Sequence, residues 1–364
     1  MNAPNATRRR SPAEPRAARG GRPGITVATP GRGIAFRVDR RAALVGVALA
    51  AAVAVLTVFA IGTGQYQISP GDVLRVLSGN GERAHTFVVE TLRLPRVLTG
   101  LLVGAALGMA GAVFQSLTRN PLGSPDIVGF TTGAATGALI QIIVLGGGMA
   151  AVAGGALAGG LLTSLAVYLL AFRDGVQGYR LILVGIAVNG GLVATNVYLI
   201  ARAEFADAHV AATWMTGNLN GRGWGHVYLL ATTLVVLLPV TLAFGRRLKL
   251  MELGDEPATA LGVRVERSRL WLMLLGVALT AMATVAAGPI PFVALAAPQL
   301  ARGLARSAAP VLALSCLMGA LLLVAGDLAA QRVLAPLQLP VGVMTGSLGG
   351  VYLVWVLVSG WRRR

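Results

Sequence analysis

Residues 92–129 read LRLPRVLTGLLVGAALGMAGAVFQSLTRNPLGSPDIVG. Two arginines, Arg93 and Arg96, lead into an apolar helix in which Gly100, Gly104 and Gly108 recur every fourth residue. Small residues at that spacing share one helix face and let a neighbouring backbone come close. The helix runs into a polar NPLGSPD turn, where Pro121 and Pro125 stop one helix and start the next. An apolar segment of this length, closed by a polar turn that opens a second apolar segment, belongs in a bilayer.

Composition extends that reading to the whole chain. Of 364 residues, 55% are hydrophobic and only 12% charged. The charges crowd into short runs and leave windows close to the roughly 20 residues needed to cross hydrocarbon. Ten spans follow: 42–62, 92–117, 126–146, 150–171, 180–201, 226–245, 268–287, 291–304, 308–329 and 341–360. The eighth is short and proline-bounded, so nine full crossings with a re-entrant eighth is the alternative. The apolar runs are too long for barrel strands and do not alternate with polar residues. The expected fold is therefore all-α, a polytopic membrane protein of about ten helices.

Basic residues set the orientation. With the N-terminus inside, the outer segments hold Arg75, Arg83, Arg93, Arg96, Arg202, Arg222 and Arg332, and the other Lys and Arg of the total of 31 fall inside. That asymmetry follows the positive-inside rule and accounts for the net charge of +17. The basic residues are scattered over loops, without an aromatic-studded domain, so nucleic acid is not an expected partner. Residues 1–41 are poor in apolar residues and rich in Arg, Pro, Gly and Ala, and read as a disordered cytoplasmic tail before a permease domain at 42–364. The first span is too long for the apolar core of a signal peptide. The single cysteine, Cys316, falls inside a span and rules out an intrachain disulfide.

Several chemistries lack their residues. The one lysine, Lys249, is followed by Leu250, whereas a phosphate-binding P-loop needs Gly-Lys followed by Ser or Thr. His85, His209 and His226 are isolated and lack metal-ligand spacing. No G-x-S-x-G nucleophile elbow occurs. Only one carboxylate, Asp327, lies deep in an apolar span, fewer than an ion-coupled pump needs. An enzyme and a self-powered carrier are both disfavoured.

The inner loop 245–269, GRRLKLMELGDEPATALGVRVERSR, is too long for a simple turn. Asp255 and Glu256 before Pro257 suit the first turn of a short helix. Gly262 suits its end, and a second short helix is expected near Val265. Such a pair, lying on the inner surface, fits a soluble partner; a solvated connector is the plainer alternative.

Five segments now stand in order: LRLPRVL, GMAGAVFQSLTRNPLGSPDIVG, LGDEPATALGV, AAGPIPFVALAAPQLAR and LPVGVMTGSLGG. Together they resemble the FecCD family, the permeases of ABC importers for iron-siderophores, haem and vitamin B12, over about residues 42–360. The resemblance implies ten spans per subunit with an inverted repeat of spans two to five against seven to ten. It also implies a two-subunit permease, two ATP-binding subunits that carry ATP and Mg, and an extracytoplasmic siderophore-binding lipoprotein. No cofactor is expected on this chain itself.

The resemblance assigns roles residue by residue. Leu253, Asp255, Glu256, Ala260, Leu261 and Val263 fall where the family's coupling helices meet the ATPase. Arg93 and Arg96 match outer arginines that pair with acids on the binding protein, for which a guanidinium fork suits a carboxylate; snorkelling at the interface is the plainer reading. The fifth span and the WMTGNLNG segment match pathway-lining elements, which nominates Asn189, Thr195, Asn196, Trp214, Met215 and Asn218. Asn189 and Asn196 sit two turns apart on one helix face. An asparagine pair packed across a helix interface is equally compatible.

The sequence departs from the family at three glutamines. Gln299 stands where histidine is frequent, Gln338 where glutamate is usual, and Gln331 where an arginine follows the retained Asp327 by four positions. Arg332, one residue on, is the remaining candidate for the third docking arginine. The last span also lacks the family's Gly-Ala-Pro. These departures favour one half of a heterodimer. The reading is a permease subunit for iron-siderophore, with ferric enterobactin as one candidate and vitamin B12 or haem as alternatives. A stand-alone secondary transporter is the runner-up from another class. The expected location is the cytoplasmic membrane with both termini inside.

Overall fold

The computed structural model describes residues 24–28, 35–64, 66–172, 178–307, 309, 311–335 and 337–361. Two short strands open it. β1 (Gly24–Ala28) pairs antiparallel with β2 (Ala35–Asp39), Gly24 opposite Asp39. Disorder was expected throughout 1–41. The segments GITVA and AFRVD carry β-branched and aromatic residues that favour pairing, while residues 1–23 and 29–34 lie outside the described residues. Asp39 then caps α1 (Arg40–Gly62), its carboxylate accepting from the Arg41 N–H at 3.0 Å.

On the side that the basic residues lead one to expect outside, called outer below, come α2 (Pro70–Leu77) and α3 (Arg83–Thr86). A wider π-helical stretch, Phe87–Arg93, feeds α4 (Leu94–Thr118) without a break. The NPLGSPD turn leads to α5 (Pro125–Val128) and α6 (Phe130–Leu139), which continues as a π-helical stretch to Val144. Then follow α7 (Met149–Ala171), α8 (Gly178–Arg202), the short α9 (Phe205–Met215) and α10 (Trp224–Ala243). The inner loop forms α11 (Gly245–Met251) and α12 (Asp255–Ala260). The chain closes with α13 (Val265–Ala287), α14 (Val293–Ala305), α15 (Leu312–Arg332) and α16 (Val341–Trp361).

Among the described residues seven helices are long and apolar enough to cross a membrane. The segments 130–144 and 341–354 are shorter apolar helices, and α14, with 13 residues, is the short eighth span of the sequence reading. One expectation fails: no separate second helix starts near Val265, because that residue begins the seventh span itself, and the companion of α12 is α11, on its other side.

α4 is the centre. Nearly every residue from Val97 to Thr118 is buried. It packs on α15, α13, α14 and α10. Gly104 and Gly108 lie against α15 so closely that a Cβ would come within 2.3 Å of the Gly319 carbonyl and 2.1 Å of the Ser315 carbonyl. Gly111 would bring a Cβ 1.7 Å from the Ala294 carbonyl of α14. Gly100 is different: it faces the side chains of Leu219 and Val324, not a backbone.

The packing pattern repeats. α6 packs on α7 and α14 on α15; α7 packs on α13 as α15 packs on α4; α8 touches α6 and α7 as α16 touches α14 and α15. The second set is the first displaced by five spans. Five is odd, so equivalent helices run in opposite directions, which is an inverted repeat.

Candidate functional site

The two ends of α4 each carry an arginine fixed by a carboxylate from a distant element. At the outer end Arg96 meets Asp327 of α15 in a fork: Nε donates to Oδ2 at 2.9 Å and Nη2 to Oδ1 at 2.8 Å. The side chains are 15% and 6% exposed. Gln331, one turn on, donates to Asp327 Oδ2 at 2.8 Å, and Arg96 Nη1 reaches Gln338 Oε1 at 3.4 Å. A fork of this kind is the strong form of the ion pair. Arg96 was expected to meet an acid on the binding protein; within this chain it is paired with Asp327. Arg93 is also engaged, donating to the Ile61 carbonyl at 2.7 Å and to the Tyr66 carbonyl. Arg332 is exposed. Arg93, Arg96, Gln331 and Gln338 share the wall of an outer cavity of about 300 Å³.

At the inner end Arg119 ends α4 in a left-handed turn, φ 49°. Its guanidinium bonds the Met251 carbonyl, with Nη2 at 2.9 Å, and pairs with Asp255. Arg269 of α13 takes the other Asp255 oxygen at 2.9 Å and also pairs with Glu266. Burial alone would raise the Asp255 pKa, but the guanidiniums of Arg269 and Arg119 outweigh it and hold the carboxyl below its ordinary value. Nearby Arg302 of α14 bonds Glu252 at 3.0 Å and Ser116 Oγ at 2.8 Å. The loop 245–269 is thereby tied to α4, α13 and α14.

The six coupling candidates separate accordingly. Leu253 and Leu261 are 65% and 61% exposed, and Glu256 and Ala260 are exposed with them. Val263 is buried in the main core, and Asp255 points into the arginine pair. Both were expected at an ATPase surface; Val263 instead packs in the core, while Asp255, its side chain 49% exposed, also neutralises two guanidiniums. Arg119, Arg269 and Arg302 were not singled out by sequence. Their only sequence signal was basic side chains at the edges of apolar spans.

The pathway candidates do not cluster either. Asn196 is buried, while Thr195 next to it is exposed and bonds the Gly191 carbonyl at 2.9 Å. Asn189 is half-buried against Gly129. Trp214 packs against Ala134, Ala138 and Ala156 and, with Val152 and Val285, lines a cavity of about 750 Å³ beside α9; Met215, half-buried, ends that helix. Asn218 is a turn-builder: its N–H donates to the Ala287 carbonyl at 2.7 Å and its side chain accepts from the Asn220 N–H at 2.8 Å. Among the described residues no group of three or more His, Cys, Asp or Glu could hold a metal ion.

The FecCD transport family matches residues 42–359. The chain belongs to this family. The FecCD chain is 46% identical over 327 residues to the ferric enterobactin transport system permease protein FepG of Escherichia coli K12, covering 90% of this chain and 99% of the relative. It is 39% identical to the Fe(3+) dicitrate transport system permease protein FecD of the same organism, over 75% and 86% of the two chains. The iron(3+)-hydroxamate import system permease protein FhuG of Bacillus subtilis 168 is 35% identical over 84% and 94%. A metal-chelate type ABC transporter solved in an inward-facing conformation superposes with a TM-score of 0.78 at 26% identity, covering 87% of this chain and 99% of the other. The FecCD chain is thus a multi-pass membrane protein of the permease type.

Proposed function

We propose that this chain is one transmembrane subunit of an ABC importer that passes iron-siderophore complexes from an extracytoplasmic binding protein to the cytoplasm. The observation that carries it is the 46% identity to a ferric enterobactin permease across nearly the full length of both chains. The exposed Leu253–Leu261 patch on α12 and its flanks supports ATPase docking, since apolar side chains bared outside the hydrocarbon suit a protein partner. ATP and Mg then belong to that partner, and this chain does no bond chemistry. Both termini lie inside.

The chain pairs with a second, non-identical FecCD-type permease. Its three glutamines support this, because Gln331, Gln338 and Gln299 bond within the subunit, Gln299 to the Pro121 carbonyl at 2.7 Å. Uptake of radiolabelled ferric catecholates, hydroxamates and citrate by a deletion strain complemented with this chain tests the cargo. Catecholate uptake that returns only with the intact gene supports the reading; restored vitamin B12 or haem uptake, with no iron chelate moved, replaces it. Co-purification with the ATPase alone, against co-purification with the neighbouring permease added, tests the pairing. A transport-competent complex holding two copies of this chain and no second permease sinks the heterodimer.

A further inference from the structure

The cavity of about 750 Å³ beside α9 takes no part in the joint at either end of α4. Its size falls within the roughly 300–1,000 Å³ of small-molecule sites. Its walls are mostly apolar, Ile142, Val152 and Val285 among them. Three polar side chains interrupt them: Asp207 from α9, Arg222 from the turn before α10, and His226 from the first turn of α10. Arg222 Nε donates to the Asn218 carbonyl at 3.2 Å, and Nη1 lies 3.2 Å from His226 Nε2. A guanidinium has only donors, so the histidine nitrogen accepts there. Among the described residues Arg222 Nη2 has no partner, and no carboxylate comes within 4 Å of the guanidinium. Burial lowers the Arg222 pKa, as expected of a desolvated cation without a counter-ion. Asp207, half-buried, likewise has no ion-pair partner among the described residues.

The surroundings place this cavity at the depth where hydrocarbon meets water. Trp224 and Tyr228 of α10 bracket His226, their rings stack at 5.7 Å, and Trp224 Nε1 donates to the Glu90 carbonyl at 3.0 Å. Tryptophan and tyrosine collect at headgroup level. Met149, Val210 and Leu229 of the lining are exposed, so the rim is apolar as well. A small inorganic anion would use Arg222 but leave the apolar walls uncovered and meet Asp207 as a like charge. We infer that the cavity seats one phospholipid with an amine headgroup: its phosphate on Arg222, its ammonium on Asp207, and one acyl chain along Ile142, Val152 and Val285. The guanidinium suits the phosphate, the carboxylate suits the amine, and the chain covers the rest. Such a seat is independent of the cargo and of any docked partner.

The test uses the assembled transporter, purified in mild detergent and stripped of lipid. It is titrated with dipalmitoyl phosphatidylethanolamine or dipalmitoyl phosphatidylglycerol, and bound lipid is counted by native mass spectrometry. The wild type should hold the ethanolamine lipid more tightly, because only that headgroup brings a cation to Asp207. Arg222→Gln should weaken both lipids about tenfold, the loss of one charge-assisted contact. Asp207→Asn should keep the glycerol lipid bound and erase the preference. Unchanged binding in Arg222→Gln, or no preference in the wild type, overturns the assignment. Should Arg222→Gln fail to assemble, Val152→Trp fills the cavity without touching a charge and should expel the lipid; retention at the wild-type level refutes the seat. Glycerophosphoethanolamine, the headgroup without chains, separates the two sources of phosphate. It should bind far more weakly than the intact lipid; equal binding would leave a site for a soluble phosphate and sink the lipid.

Discussion

The two ends of α4 solve the same problem with opposite chemistry. Outside, one arginine and one carboxylate form a buried fork that joins two spans. Inside, one carboxylate, half open to solvent, is shared between Arg119 and Arg269 and joins a surface helix to two spans. A buried pair is weak as a source of stability but costly to break by halves, since the survivor is left charged and dry. An exposed, shared carboxylate is worth little per contact, is screened by salt and tolerates loss. The outer joint is therefore the costlier one to break and the inner joint the more tolerant. α4 thus carries a joint that is costly to break at one end and a tolerant one at the other.

The comparison depends on α4 moving as one body, and the harshest test breaks its seam. Gly111→Val drives side-chain atoms into the Ala294 backbone, where a Cβ alone would come within 1.7 Å. The loss should exceed the about 1–3 kcal/mol typical of an overpacked core. The monodisperse fraction in size-exclusion chromatography should collapse; a normal elution profile would mean that α4 and α14 are not held as described.

The next test sets the ends against each other. Arg96→Ala strands Asp327 and should destabilise by about 3–5 kcal/mol. Arg119→Ala, at an exposed pair, should cost about 1 kcal/mol or less. Thermal unfolding followed by tryptophan fluorescence reads both. Equal shifts would erase the distinction between the joints.

The smallest effect is expected from titrating the inner joint. The Asp255 pKa is lowered in the fold, so its contribution is complete above the ordinary carboxylate value and is lost as the pH falls through the lowered one. Association with the ATPase should be flat from roughly pH 8 to pH 5 and weaken only below about pH 4. Asp255→Asn should abolish that acid limb, and about 1 M salt should mimic it in the wild type. A limb centred near neutrality would assign the titration to another group.

Most of the architecture could be read because its cause is local. An apolar window of bilayer length, a glycine every fourth residue and a proline at a turn each act within a few residues. α9 escaped because its 11 residues, FADAHVAATWM, mix an acid and a histidine into an apolar run too short to cross. The short helix α12 was placed by its Asp-Glu-Pro start, yet the Asp255 ion pair went unread because its partner Arg119 is 136 residues away. The outer fork joins residues 231 apart. No pattern along the chain links such positions; only the packing of α4 against α15 and α13 brings them together. Likewise Asn189 and Asn196 share a face by periodicity, but periodicity does not say which way that face points.

Phe292 precedes α14 with φ 78°, a conformation that costs a bulky residue about 1–3 kcal/mol. Its ring lies edge-on to Tyr352 at 5.6 Å and so close to Gly349 that a Cβ there would fall 2.2 Å from the ring. Both partners belong to α16, which follows α14 and α15 along the chain. The strained turn is therefore covered only once α16 is packed against it. α16 is thus a closing piece for α14: the seat at Phe292 stays open until α16 slides over it.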